Sequence, residues 1–263
     1  HGLNILLNMF FGPVVNAARG VSVQVQNTVL QFSQNFQMAI NPQITKSYAA
    51  GELDGMHRLI FRSSRITFFL LFVLALPIVF EADFILDLWL KDVPQWTTSF
   101  VRLMIAVIIV DSVANPLMIS SAATGKIKFY QTAICSIMLT IVPISYVMLR
   151  LGFEPTVVFK VHLSACCVAF VVRLFILRPM IKLSIRKYFM EVATRCVATA
   201  VPAFAVTFAV WKTLPRTAAG SVGVMLVAVF STLVFCLLWG LDKQEKNFVN
   251  EKIAQAVKKM REK

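Results

Sequence analysis

The chain has 263 residues, 58% of them apolar and only 15% charged, and with a mean hydropathy of +0.74 this composition excludes an ordinary water-soluble globule. A net charge of +13 would suit nucleic acid, but the Lys and Arg residues punctuate apolar runs and form no patch interleaved with exposed aromatics. That spacing excludes nucleic acid as a partner and fits membrane topology and contact with anionic headgroups. The apolar runs are long enough to cross a hydrocarbon core of about 30 Å, which takes roughly 20 helical residues.

In chain order, a partial span ends near Phe11, where Gly12-Pro13 interrupts it, and a more polar helix follows from about Val14 to Ile40, stopped by Asn41-Pro42. The sequence carries neither an initiator Met nor a signal peptide ahead of this stretch, so the chain reads as a fragment. Further spans are predicted at Ile66–Trp89, Thr97–Ala122, Phe129–Leu149, Thr156–Leu177, Val192–Trp211 and Ser221–Trp239. The fold class expected is all-α, a polytopic transmembrane bundle with one truncated and seven complete spans over residues 1–241.

Alternating the connections across the bilayer puts most of the basic residues on one face, in the loops Lys46–Arg65, Lys126–Lys128 and Arg178–Lys187 and in the tail 242–263. That face is assigned to the cytoplasm. In the tail, Val249, Ile253, Val257 and Met260 recur at helical spacing against a Lys-rich face, which fits either an amphipathic surface helix or a solvated tail. The five cysteines fall within apolar spans with no CxxC pair and no His at ligand spacing, so they read as small buried hydrophobes; no metal site and no cofactor is expected.

The polar helix holds the main binding candidates. Gln24, Asn27, Gln31 and Gln34 stand at i, i+3, i+7 and i+10, one helical stripe of amides, with Val25, Val29, Phe32 and Phe36 in other directions. Facing lipid, these amides would lack partners, so they line either a wet cavity or a contact with neighbouring helices. Arg19, in the sequence Asn16-Ala17-Ala18-Arg19-Gly20, either grips a phosphate bidentately or snorkels to the interface.

Asp111 lies inside an apolar span, four residues before Asn115 on the same face. An ionised carboxylate there must be paired, wet or protonated, so the two are candidates for coupling to a proton or sodium gradient. A structural ion pair with Arg173 or Arg195 is the alternative. Pro116, Pro143 and Pro202 are potential kinks, useful for rocking and equally common in static bundles. Lys160 and His162 sit near the end of a span opposite to the cytoplasm. No catalytic triad, paired carboxylates, HExxH or Gly-rich phosphate loop occurs, so the chain is expected not to be an enzyme.

Residues 8–56 carry Asn8-Met9-Phe10-Phe11-Gly12-Pro13 running on to Arg19-Gly20, the amide-rich helix, Asn41-Pro42-Gln43-Ile44, Lys46-Ser47-Tyr48-Ala49 and Gly51-Glu52. This stretch resembles Wzx-type polysaccharide flippases of the multidrug/oligosaccharidyl-lipid/polysaccharide exporter superfamily. The resemblance implies the second lobe of a two-lobe transporter, lacking its N-terminal lobe, in the bacterial inner membrane. It also implies a lipid-linked oligosaccharide of the undecaprenyl-pyrophosphate type as substrate. Sugar hydroxyls would meet the amides and pyrophosphate would meet Arg19. Alternative functions are a cation-coupled multidrug antiporter of the same superfamily, a noncatalytic membrane scaffold, or a membrane glycosyl- or acyltransferase using His57 or His162.

Overall fold

In a computed structural model, residues 2–242, 245 and 246 are described; the predicted tail stripe from Val249 to Met260 lies outside them. Ten α-helices follow in order: α1 Gly2–Ala49, α2 Leu53–Phe80, α3 Ala82–Trp89, α4 Thr97–Ala123, α5 Ile127–Leu139, α6 Ile141–Arg150, α7 Val157–Met180, α8 Ile185–Tyr188, α9 Thr194–Thr213 and α10 Ala218–Phe235. Five-residue π-helical turns join α8 to α9 and extend α10 to Gly240. No strand occurs among the described residues. Six helical segments are long and apolar enough to cross a membrane: α2, α4, α5 with α6, α7, α8 with α9, and α10 with its terminal π turn. The protein is an all-α polytopic membrane bundle.

The break expected at Gly12-Pro13 is present, but as a bend within one element. Gly12 has φ 77° and ψ −172°, a region open to glycine alone because a Cβ would clash. Asn4 and Arg19 would stand about 22 Å apart on a straight helix, yet the Arg19 Nη1 donates to Asn4 Oδ1, so the bend brings the two arms together. The stop expected at Asn41-Pro42 does not occur. Pro42 removes a single backbone donor at an exposed position, and the helix runs on to Ala49.

The span expected from Ile66 begins at Leu53 instead and ends at Phe80, leaving 82–89 as the separate short α3. His57, Arg58, Arg62 and Arg65 therefore lie on α2 and not in a loop. Apolar periodicity misses this start because the first turns of α2 carry the very charges that mark a loop. The span expected at Phe129–Leu149 is two helices meeting at Thr140, with Pro143 in the first turn of α6, where its missing N–H costs least. The span expected from Val192 starts at Ile185 instead, with α8 and a π turn over Phe189–Ala193 leading into α9.

Three apolar clusters hold the helices. The largest gathers Phe61, Phe68, Phe69 and Phe72 of α2 with Leu174 and Leu177 of α7, Tyr188, Val192 and Val224. Another places Val29 of α1 among Leu71 and Ala75 of α2 and Ile105 and Ile108 of α4. At Gly240 an added Cβ would lie 2.7 Å from the Phe69 ring, so the end of the α10 segment seats directly on α2. All five cysteines are free. Cys166 and Cys196 are buried as expected, whereas Cys135 and Cys167 are exposed; on a membrane span an outward thiol meets lipid, where a small hydrophobe is at no disadvantage.

Candidate functional site

The arm of α1 after Gly12 divides lengthwise. Val15, Ala18, Ser22, Val29, Ser33 and Gln37 are buried on one side. The Ser22 hydroxyl donates back to the Ala18 carbonyl at 2.8 Å and that of Ser33 to Leu30 at 2.9 Å, which satisfies both without a partner helix. Small residues at this spacing let α1 approach its neighbours closely. Gln37, buried to 8% exposure, is an amide that the stripe pattern did not single out, because it falls on this packed side.

Gln24, Asn27, Gln31 and Gln34 point the other way, and all four are exposed. Phe32, at 59%, shares this outer surface, while Val29, at 3%, belongs to the packed side. None of the four amides makes a side-chain hydrogen bond to another helix among the described residues, so the packing contact weighed from the sequence has no hydrogen bond to support it there.

A second group forms where α1, α4, α5 and α7 converge. Asp111 of α4 faces Arg173 of α7, with Oδ1 3.8 Å from Nη1, and the Cys166 thiol approaches Oδ2 at 3.8 Å. His162 of α7 lies within charge range of both Asp111 and Arg19, and Tyr130 of α5 faces Arg173. So Arg19 and Asp111, which the sequence offers as separate candidates, belong to one neighbourhood. Of the two partners considered for Asp111, Arg173 is the one present; Arg195 pairs with Asp242.

The group is under-partnered. Arg19 Nε, Arg173 Nε, the Asn115 Oδ1 and the Tyr130 hydroxyl are buried without a protein hydrogen bond among the described residues. The Asp111 side chain remains 45% exposed, and 3.8 Å is a long contact for an ion pair that normally closes to about 2.8 Å. Unpaired polar atoms inside a membrane bundle are costly unless water, an ion or a ligand reaches them. The residues missed from the sequence are Tyr130 and Cys166 as neighbours of the Asp111–Arg173 pair; a lone Tyr and a lone Cys on different helices carry no pattern that joins them to it.

At the opposite extreme stands Arg65 of α2, 2% exposed. Its Nη2 donates to Asp242 at 2.6 Å and Glu245 at 3.0 Å, and its Nη1 to the Glu191 carbonyl at 3.2 Å. Arg62 reaches Glu245 at 3.2 Å, and Arg195 joins Asp242. Burial alone would raise the Asp242 carboxyl, but its contacts with Arg65 and Arg195 hold it below the usual carboxylate range. These ion pairs fasten the residues after α10 to α2 and α9.

No group of His, Cys, Asp and Glu suited to a metal ion occurs among the described residues. Comparison of the chain with protein-family models, with curated proteins and with solved structures gives no match.

Proposed function

We propose that this chain is one lobe of a transporter that flips a lipid-linked oligosaccharide across the bacterial inner membrane by alternating access. The observation that carries the proposal is the outward face of α1: four exposed amides in register on a membrane bundle, with no side-chain hydrogen bond to another helix among the described residues. In hydrocarbon such groups would be unsatisfied, whereas on the wall of a wet cavity they match the donors and acceptors of sugar hydroxyls. Arg19, on the same helix, supplies a planar, permanently charged fork for the pyrophosphate of an undecaprenyl-type carrier. A second lobe of the same protein closes the cavity.

Asp111 and Asn115 serve in this reading as the coupling site for a proton or sodium ion. The partly exposed carboxylate and the unpartnered Asn115 oxygen support that role. The polar contacts of Asp111 are with Arg173 and Cys166, and the aromatic group of Phe80, Phe204, Phe208 and Trp211 gathers elsewhere, between α2 and α9. An acidic cage lined by aromatics, which a multidrug antiporter would need, is thus less well supported. The orientation with a cytoplasmic C-terminus is retained from the distribution of basic residues.

Single cysteines in the full-length, otherwise cysteine-free protein test the proposal. Positions 24, 27, 31 and 34 should react with a water-soluble thiol reagent, and lipid-linked oligosaccharide should protect part of the series. Ser22, Val29 and Ser33 replacements are the buried controls; Phe32, being exposed, is not one. Uniform silence of the amide positions in an active protein defeats the cavity and leaves packing against another lobe.

A further inference from the structure

A groove of about 640 Å³ runs between α5–α6 and α7, within the range of about 300–1,000 Å³ typical of small-molecule sites. Its wall is apolar over most of its length, with Ile137, Ile144 and Met148 on one side and Val161, Ala165 and Val168 on the other. Its two helix hydroxyls are turned inward on their own backbones: Thr140 donates to the Ile137 carbonyl at 2.7 Å and Ser164 to the Lys160 carbonyl at 2.9 Å. The protons of both are engaged within their own helices. Ile144 and Val168 are 46% and 53% exposed, so the groove opens sideways, toward the hydrocarbon of a bilayer.

One end of the groove differs. Glu154 and Lys160 line it there, both exposed, and no ion pair links them to each other or to another described residue. From Lys160 to Val168 the groove follows α7 for about 12 Å, which is most of one leaflet of an about 30 Å core. An anion and a cation at the mouth of a hydrocarbon-lined channel one leaflet deep match an amphiphile that carries both charges on its head.

We propose that this groove holds a zwitterionic aminophospholipid of the phosphatidylethanolamine class. Lys160 takes the phosphate, Glu154 takes the primary ammonium, and one acyl chain lies between α6 and α7 down to Val168. Glu154 disfavours a purely anionic headgroup, and a quaternary ammonium such as choline has no N–H to donate to it. The site is independent of the transport reading.

The test uses the full-length protein freed of native cysteines, with a fluorophore at Val168→Cys, in phosphatidylcholine vesicles. Brominated-chain phosphatidylethanolamine should quench the probe with about five-fold tighter association than brominated phosphatidylcholine, the ratio that one headgroup contact of about 1 kcal/mol gives. It should also outcompete brominated phosphatidylglycerol. Glu154→Gln should abolish the preference over phosphatidylcholine, and Lys160→Gln should weaken association of all three lipids. Because lipids are compared within each variant, partial loss of folded protein cancels. Equal quenching by every lipid means incidental boundary lipid and overturns the proposal. A preference for phosphatidylglycerol, an unaltered preference in Glu154→Gln, or no quenching because protein covers the groove, does so equally.

Discussion

Arg65 on α2 and Arg173 on α7 each carry a guanidinium in among packed apolar helices, but the chain holds the first by short ion pairs and the second only loosely. Around Arg65 two carboxylates and a backbone carbonyl occupy both terminal nitrogens, and the side chain is 2% exposed. Around Arg173 the carboxylate stands at 3.8 Å and keeps nearly half its surface open; Nε is without a protein partner in both arginines, so the difference lies at the terminal nitrogens. A buried charge whose partners are all protein is a fastening, because nothing else needs to arrive. One whose partners are loose and incomplete has capacity to spare for an ion or ligand.

The largest effect expected is at the fastening. Arg65→Ala takes from Asp242 and Glu245 their one buried cation, leaving them the more exposed Arg195 and Arg62, and should lower stability by about 2–4 kcal/mol, below the full cost of an unpaired buried charge, read as a large fall in thermal midpoint of the purified protein. A double-mutant cycle of Arg65→Ala with Glu245→Ala should show coupling, since the two side chains meet directly in a buried contact at 3.0 Å. Additive losses would mean that the pair is no fastening.

At the open site the balance reverses. Asp111→Asn and Arg173→Gln should each change stability by less than about 1 kcal/mol, as loose, partly exposed ion pairs do, while abolishing transport or its dependence on the ion gradient in the full-length protein. A stability loss equal to that of Arg65→Ala would make Asp111–Arg173 a second fastening and erase the contrast.

The smallest effect is one of pH. Asp242 has its carboxyl held below the ordinary value by Arg65 and Arg195, so its contribution is fully present above the unfolded value of about 3.9 and is lost as pH falls through the lower folded value. Thermal midpoints of wild type and Asp242→Asn should therefore keep a constant difference between pH 7 and pH 5 and converge only below about pH 4. Convergence near neutrality would show that the carboxyl is not held down.

The contrast between the two arginines was beyond the reach of the sequence for a concrete reason. Arg65 meets partners 177 and 180 positions away, and no periodicity ties them; next to Arg58 and Arg62 it looked like one more topogenic loop charge. Asp111 with Asn115 was legible because both stand on one helix face four residues apart, and the amide stripe because 3.6-residue spacing places side chains without knowledge of neighbours. The six apolar spans after α1 and their order were legible from apolar length, and the bend from Gly12-Pro13; the seventh complete span expected, the polar helix of α1, is not among the segments apolar enough to cross. Helix starts were not, since α2 and α8 open with charged turns whose helicity is decided by packing. Pro42 misled because one exposed missing donor is too small a loss to stop a helix held elsewhere along its length.

That uninterrupted run past Pro42 has a mechanical consequence. From 13 to 49, α1 extends about 55 Å, well beyond a hydrocarbon core of about 30 Å, with its amide face inside and its last turns outside. It is a lever whose fulcrum lies in the bundle. With the fulcrum midway, a tilt of about 5° moves the far end by roughly 2–3 Å, about half the rise of a helical turn. Whatever grips residues 44–49, where Ile44 is buried, can report or impose a small rotation of the amide face without touching it.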